Sequence, residues 1–330
     1  MRRREFIAGL TGAVAWPLLA RAQRPNAPVP VVGLLNAVAF EGPYAVPVAA
    51  IRRGLDAAGF VEGQNLAIEY RSAGGEYERL PELATYLVKS GVTVIVAIGV
   101  STPALAAMAA ASPVPIVFAM GADATEFGVV SSLNRPEANP TGASATVGAA
   151  SDRVGLLLDV RPGATSLVGY LDNSRRSAAF DETVASVTSA ARLRGRELAV
   201  FDAGTEEEVE IAFAQMALRR VRSLVVGPDA FLMTRQEQII TFAAQNTMPT
   251  IYATRGAVML GGLMSYGVLT NDMYRAAGVY AGRILQGTAP AELSVVLPMR
   301  FELVIDKTTA KALRIRLPGP LLARADHIIE

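Results

Sequence analysis

The chain has 330 residues, of which 51% are hydrophobic and 18% charged, as expected for a folded protein with a sizeable core and room for two domains. It contains no cysteine, which excludes disulfides and thiolate metal sites, and its single histidine, His327, argues against histidine-based metal clusters and Ser-His-Asp triads. The G-x-G-x-x-G, Walker A, G-x-S-x-G and H-E-x-x-H motifs are absent, and no pair of carboxylates has a spacing that implies acid–base work. We therefore expect no metal, no cofactor and no enzymatic activity.

Residues 1–22 have the pattern of an export signal. Arg2, Arg3 and Arg4 precede fifteen uncharged residues, and a small-x-small cleavage site ends at Ala22. Two arginines, a variable residue, Phe and an apolar residue also match a twin-arginine signal, with a Sec signal or an uncleaved anchor as the alternatives. Removing the signal leaves 27 basic and 29 acidic residues, a net charge of −2, which gives no basis for nucleic-acid binding. We predict a periplasmic protein that is a monomer.

The stretch from Val92 to Met120 predicts a strand, a helix and a second strand. The first strand, Val92 to Ile98, is apolar and β-branched, as in a parallel sheet that is buried on both faces. After Gly99, Ser101 and Thr102 are predicted to cap the following helix. Free backbone N–H groups at such a helix end lie at the carboxyl edge of the sheet, where they favour an anion such as a carboxylate. The alternative is an ordinary capped helix without a ligand.

The chain then repeats this organisation. Strands that begin at Val31, Leu66 and Val92 recur, in the same order and with similar spacing, at Leu167, Leu198 and Val221. Such a repeat predicts an α/β fold with two similar lobes, each a parallel sheet with helices on both faces. We predict a first lobe from 29–144 with about 271–292, and a second lobe from 145–270 with about 293–330.

The carboxyl ends of the strands in the two lobes should face each other across a cleft. The candidate ligand-contacting residues in the loops there are Asn36, Phe40, Tyr44, Gly99, Ser101, Thr102, Met120, Asp123, Asn173, Asp229, Tyr252, Arg255, Ser265 and Tyr266. The hydroxyl groups donate and accept hydrogen bonds, the two aspartates suit an ammonium or hydroxyl, and the arginine suits a carboxylate. The aromatic residues supply apolar walls with polar tips. As alternatives, the aspartates are helix caps, the aromatic residues belong to the lobe cores, and the arginine forms a surface ion pair.

Several blocks of the sequence resemble a known family. These are the signal region with Trp16-Pro-Leu-Leu-Ala-Arg-Ala22, Val31-Val-Gly-Leu-Leu35, Ser132-Leu-Asn-Arg-Pro136, Gly261-Gly-Leu-Met-Ser-Tyr-Gly267 with Asp272-Met-Tyr-Arg275, Gly282-Arg-Ile-Leu-Gln-Gly287, and Phe301-Glu-Leu-Val-Ile-Asp306 with Thr309-Ala-Lys-Ala-Leu313. Over nearly its whole length the chain is similar to ABC-transporter substrate-binding proteins with the type I periplasmic-binding fold, in the branch related to tryptophan/tyrosine uptake proteins. This resemblance implies two lobes, three crossovers and a ligand site that closes about a hinge.

One position departs from the family pattern. Family members often follow the aspartate after Met120 with Pro-Val, whereas Asp123 is followed here by Ala124-Thr125. The resemblance therefore does not fix the ligand as an aromatic amino acid.

From these features we predict an exported solute-binding protein. It would capture an amino acid or another small carboxylate, aromatic ones included, and deliver it to the transmembrane subunits of an ABC permease. The first alternative is the ligand-binding component of a sensor or chemotaxis system, which would have the same fold and other partners. The second is an enzyme on an α/β scaffold, against which the missing catalytic motifs argue.

The export prediction can be tested directly. We expect the mature protein to begin at Gln23, because Ala22 closes the cleavage site, and N-terminal sequencing of the periplasmic protein checks this. Replacing Arg2, Arg3 and Arg4 together by Lys should block export if the twin-arginine route is used. Normal export of that variant would assign the signal to the Sec route, and an intact Met1 on the periplasmic protein would identify an anchor.

Overall fold

The structure is a computed structural model that describes residues 28–110, 113–121, 123–134, 139–144, 149–160, 167–176, 180–268, 270–297 and 300–330. The predicted signal peptide, residues 1–22, lies outside the described residues. Within these ranges, no helix is both long and apolar enough to cross a membrane.

The first half of the chain forms a parallel sheet. Its strands are β1 (Val31–Asn36), β2 (Ala67–Ser72), β3 (Val94–Gly99), β4 (Ile116–Met120) and β5 (Pro140–Ser144). They lie in the order β2-β1-β3-β4-β5, and every pairing between them is parallel. All residues of β3 and β4 are buried, because interior strands of a parallel sheet are covered on both faces.

The second sheet repeats this order and then extends it. Its strands are β6 (Leu167–Asp172), β7 (Glu197–Asp202), β8 (Leu224–Val226), β9 (Thr250–Tyr252), β10 (Met264–Val268), β11 (Phe301–Asp306) and β12 (His327–Ile329). They lie in the order β12-β11-β10-β9-β8-β6-β7, so β6 to β10 reproduce the topology of β1 to β5. The two-lobed α/β fold predicted from the sequence is confirmed.

One strand departs from the prediction of two parallel sheets. Strand β11 is antiparallel to β10, and β12 is then parallel to β11. Two consecutive strands can be parallel neighbours only if a crossover connection joins them. The segment between β10 and β11 is not such a crossover, because its helix packs on the first sheet, and β11 is free to run antiparallel to β10.

Helices connect the strands. They are α1 (Ala45–Ala57), α2 (Leu80–Lys89), α3 (Ser101–Ala109), α4 (Ala149–Val160), α5 (Phe180–Leu193), α6 (Glu206–Leu218), α7 (Ala230–Thr234), α8 (Gln236–Gln245), α9 (Arg255–Met259), α10 (Thr270–Leu285), α11 (Lys307–Ala312) and α12 (Gly319–Leu322). Single 3-10 turns occur at Gly42–Tyr44, Tyr77–Arg79, Ser174–Arg176 and Pro290–Glu292. Helices α2 and α3 pack on the first sheet, α1 packs against α10, and α4 packs on the second sheet.

Helix α10 packs on the first sheet, although the strands before and after it belong to the second. It crosses α1 at two glycines. A side chain at Gly54 would place its Cβ 2.2 Å from the carbonyl oxygen of Arg275, and one at Gly278 would come 2.1 Å from that of Ile51. The two backbones therefore touch, which only glycine allows. The chain changes sheets after β5, after β10 and after α10.

The two lobes are in contact through apolar side chains. One continuous cluster of buried residues contains Leu87 and Val96 of the first lobe together with Phe201, Leu224 and Phe231 of the second. Burial of such side chains stabilises a protein by roughly 1.5–3 kcal/mol each. The facing carboxyl edges of the two sheets are therefore held close together in this structure.

The contact between α1 and α10 gives a stability prediction. Gly278→Ala should destabilise the protein by about 1–3 kcal/mol, because its Cβ has no space against the α1 backbone. The matched control is Gly155→Ala in α4, where the nearest atom, an Arg194 nitrogen, would lie 3.8 Å from the new Cβ. That change should be neutral or stabilise by up to about 1 kcal/mol, because alanine favours the helix. Urea unfolding midpoints measure both, and equal midpoints for the two variants would contradict the close crossing.

Candidate functional site

Gly99, the last residue of β3, lies beside the end of the neighbouring strand β1. Asn36 is fully buried, its Oδ1 accepts a hydrogen bond from the Ala37 N–H at 2.9 Å, and its Nδ2 has no hydrogen-bond partner among the described residues. Gly99 has a φ of +101°, and a Cβ there would lie 2.6 Å from the Tyr44 hydroxyl oxygen and 3.2 Å from Asn36 Oδ1. Glycine is thus required for two reasons, the backbone conformation and the close approach of these two polar groups.

The start of α3 differs from its predicted form. Val100 occupies the N-cap position without a side-chain hydrogen bond, and Ser101 and Thr102 lie in the first turn of the helix. The prediction that they cap the helix is therefore wrong. Ser101 is buried, and Thr102 Oγ1 is buried without a hydrogen-bond partner in the part of the chain that the structure describes. Since a helix N-terminus also carries unsatisfied N–H groups and a partial positive charge, this end of α3 suits an anion.

Tyr44, whose hydroxyl lies next to Gly99, is uncharged. Burial raises its pKa well above the ordinary value, and the nearby Tyr274 and Asp229 raise it further. The phenol therefore stays protonated and can donate a hydrogen bond. Phe40, also predicted to contact a ligand, is half-buried and packs edge-on against Tyr70, with ring centroids 5.2 Å apart.

Met120 is the last residue of β4, and Asp123 lies in the loop that follows. Met120 is fully buried in a small apolar cluster with Phe118. Asp123 Oδ1 accepts hydrogen bonds from the Thr125 N–H at 2.8 Å, from the Thr125 hydroxyl at 2.5 Å and from the Glu126 N–H at 3.2 Å. These bonds stabilise a local turn. No helix begins in the described residues 123–134, so Asp123 is not the helix cap that the alternative predicted.

The corresponding edge of the second sheet carries Asp172 and Asn173. Asp172 is fully buried, and its two oxygens accept hydrogen bonds from the Tyr170 hydroxyl at 2.5 Å and the Asn173 N–H at 3.0 Å. Asn173 Oδ1 accepts from the Arg175 N–H at 3.0 Å, whereas its Nδ2 is buried with no partner among the described residues. Asp172 was not among the predicted site residues. The internal repeat could have predicted Asp172 as a site residue, because Asp172 ends β6 as Asn36 ends β1.

Arg175 is fixed beside Asn173 by Glu208. Its two terminal nitrogens each lie 2.7 Å from a Glu208 oxygen, and Glu208 also accepts the N–H groups of Gly204 at 2.8 Å and Thr205 at 3.0 Å. The hydrogen bonds from Arg175 first, and then that from Gly204, lower the pKa of Glu208 to about 2. The carboxylate is therefore ionised across the physiological range.

Asp229 joins the two lobes. It is fully buried, and its Oδ1 caps α7 by accepting the Leu232 N–H at 2.9 Å. Its Oδ2 accepts a hydrogen bond from the hydroxyl of Tyr77, in the first lobe, at 2.7 Å. Asp229 is therefore a helix cap, as the alternative predicted, but only Oδ1 has that role. Sequence reasoning missed Tyr77, because the loop after the edge strand β2 was left out of the cleft.

Tyr252 and Ser265 lie in the second lobe. They are paired across β9 and β10, and both are buried. The Tyr252 ring packs against Gly262, where a Cβ would come within 2.7 Å of it, and it lines a small cavity with residues of α8 and α11, such as Ile240 and Thr309. The Tyr252 ring thus packs between the sheet and its helices, and its hydroxyl is buried with no hydrogen-bond partner among the described residues.

Arg255 and Tyr266 also have partners within the second lobe. Arg255 Nη1 lies 3.3 Å from Glu302 Oε2, and His327 Nε2 lies 3.6 Å from the same oxygen. The Tyr266 ring stacks on Phe301, with centroids 5.4 Å apart. The ion-pair alternative for Arg255 therefore fits the structure better than a ligand contact.

The chemistry of these groups suits binding. In the described ranges, no three or more His, Asp or Glu residues lie together as a metal site would require. The predicted residues that the structure brings together are Asn36, Tyr44, Gly99, Ser101, Thr102 and Asp229, with Asn173 at the facing edge. The amide and hydroxyl groups of this set are neutral hydrogen-bond donors next to a helix N-terminus, whereas Asp229 is an acceptor.

Comparison with known proteins agrees with this arrangement. The sequence model of the family described as ABC transporter substrate binding protein matches residues 32–329. The chain belongs to this family. This substrate-binding protein is also 25% identical over 262 residues to a tyrosine-binding protein of Clostridioides difficile (strain R20291), with 79% of this chain and 74% of that protein covered.

Two solved structures have the same fold. A conserved domain protein from Vibrio cholerae O1 biovar El Tor is 27% identical, with a TM-score of 0.81, over 91% of this chain and 99% of that one. The ABC domain from Streptococcus pneumonia in complex with L-Trp also has a TM-score of 0.81, with 22% identity over 91% of this chain and 99% of that one. At that lower identity the likeness is one of fold.

The Arg175–Glu208 pair gives a prediction about pH. Because the pKa of Glu208 is lowered from 4.5 to about 2, its ionised form stabilises the folded state above pH 4.5, and this contribution is lost as the pH falls toward 2. Glu208→Gln should therefore lower the melting temperature at neutral pH, with a difference from wild type that shrinks between about pH 4.5 and pH 2. Glu207→Gln, exposed on the same turn, is the control. A difference that stays constant over this range would contradict the assignment.

Proposed function

We propose that this protein is the exported solute-binding component of an ABC transporter and that it captures a small carboxylate, such as an amino acid, between its two sheets. The observation that supports this most is that buried polar atoms at the two carboxyl edges have no hydrogen-bond partner among the described residues, including Asn36 Nδ2, Thr102 Oγ1 and Asn173 Nδ2. A buried donor without a partner costs about 1–3 kcal/mol. A ligand that accepts these hydrogen bonds would remove that cost.

The chemistry of the first lobe favours a carboxylate. Amide and hydroxyl donors lie next to the N-terminus of α3, where the helix dipole stabilises negative charge. The tyrosine-binding relative and the L-Trp complex support an amino acid as the class of ligand. The phenol of Tyr44 is held neutral and the carboxylate of Asp229 is engaged on both oxygens, so we propose binding without turnover. The bound solute would then pass to a permease.

A ligand screen tests the proposal. We expect the melting temperature to rise with one of L-tyrosine, L-tryptophan or benzoate, the last being a carboxylate that lacks an amino group. A ligand at 100 times its Kd stabilises the protein by about 2.7 kcal/mol. Mass spectrometry should recover the ligand unchanged after incubation. No shift with these compounds or with a wider panel of amino acids and aromatic acids would contradict carboxylate binding, and conversion of the ligand would contradict the absence of catalysis.

Variants at the start of α3 test the site itself. Ser101→Ala combined with Thr102→Val removes both hydroxyl groups and retains most of the side-chain volume. Because hydrogen bonds to a charged group are worth about 1.5–3 kcal/mol, the Kd measured by calorimetry should rise roughly tenfold or more. The control is Thr85→Val in α2, whose hydroxyl bonds the Pro81 carbonyl at 2.8 Å. Equal affinity for the two variants would move the site away from α3.

A further inference from the structure

The loop after β2, none of whose residues was predicted to contact a ligand, carries a contact between the lobes. We call residues 73–79 the mouth loop. The strand order places β2 four strands from β5, which is about 19 Å at ordinary strand spacing. The chain leaves the first sheet after β5, and α10, which returns to it, packs against β3, β4 and β5. The mouth loop therefore lies at the edge opposite the crossovers, where the two lobes separate most when they rotate apart.

The mouth loop meets the N-terminus of α7. The Tyr77 hydroxyl donates to Asp229 Oδ2 at 2.7 Å, and the exposed fractions of these residues are 8% and 0%. Next to this bond, a Cβ on Gly75 would lie 3.8 Å from the Phe231 ring. Helix α7 also contacts the turn Gly42–Tyr44 of the first lobe. The bond is thus enclosed by apolar groups from both lobes.

Opposite charges flank this bond. Glu78 belongs to the mouth loop, and Arg175 belongs to the second lobe. The pKa of Arg175 is raised chiefly by its hydrogen bond to Glu208, and Glu78 raises it further, so the two side chains attract each other across the cleft. Like the bond between Tyr77 and Asp229, this attraction favours contact between the two lobes, although exposure to solvent weakens it.

We propose that the Tyr77–Asp229 hydrogen bond is a latch that holds the lobes together at the mouth of the cleft and that Tyr77 is a positioning residue acting through Asp229. The bond joins residues of different lobes, so it forms only when the lobes approach. Its free energy therefore contributes to the closed state and not to the folding of either lobe. The bond involves no ligand atom, so the proposal does not depend on which solute binds.

The absence of cysteine allows a direct measurement. Spin labels on Glu82→Cys in α2 and Glu210→Cys in α6, both exposed, report the distance between the lobes by pulsed electron paramagnetic resonance of the ligand-free protein. Tyr77→Phe should shift the distribution to longer distances and lower the ratio of closed to open molecules roughly tenfold or more. Tyr70→Phe is the matched control, because its hydroxyl bonds Arg52 and Glu62 within the first lobe.

Asp229→Asn provides a second variant. Asparagine still caps α7, so the lobe should fold, but it removes the charge that Tyr77 contacts. Its Nδ2 can still donate to the Tyr77 oxygen, so we expect it to open the cleft less than Tyr77→Phe does. The latch is refuted if Tyr77→Phe leaves the distribution unchanged, if Tyr70→Phe shifts it equally, or if the wild-type protein is already fully open. Since no ligand is present, these outcomes are independent of the ligand screen.

Discussion

The carboxylate of Asp229 has no contact with water and takes one hydrogen bond from each half of the molecule. The Leu232 N–H of its own lobe satisfies Oδ1, and the Tyr77 hydroxyl of the other lobe satisfies Oδ2. A buried charge costs several kcal/mol unless its oxygens are hydrogen-bonded. Separation of the lobes removes one of the two bonds and admits water in its place. The relative position of the two sheets in this structure therefore depends on this group.

Two opposing terms act on the closed cleft. Asn36 Nδ2, Thr102 Oγ1 and Asn173 Nδ2 are buried here without partners among the described residues, a cost that opposes this arrangement. The apolar contacts at Phe231 and the bond between Tyr77 and Asp229 favour it. When these unfavourable and favourable contributions are nearly equal, a ligand that binds the closed form only modestly better than the open form shifts the population toward the closed form. It does so by giving the unpartnered polar atoms hydrogen-bond partners. The mouth and the interior of the cleft would then have separate roles in closure and in recognition.

Much of the fold could be predicted from the sequence, and the site only in part. Apolar, β-branched runs such as Val94–Gly99 mark buried strands, and their recurrence predicts two lobes. The direction of β11 could not be predicted, because it depends on where the preceding helix packs. Loop position alone placed Asn36 and Asp229 at the strand ends, where the structure has them. It could not predict that Arg255 pairs with Glu302, 47 residues further on. Tyr77 was missed for the same reason, because its partner Asp229 is 152 residues away in the sequence.

The position of α10 has a consequence for synthesis of the protein on the ribosome. This helix covers the first sheet with buried residues that include Ala277, Ala281 and Ile284, yet it follows β6 to β10 in the chain. The first lobe emerges first but cannot finish its core until residue 285 is available. The strands of the second lobe are made in the meantime, while an apolar surface of the first stays uncovered. Such surfaces promote aggregation of nascent chains, so the lobe that is translated first is the one that most needs a chaperone.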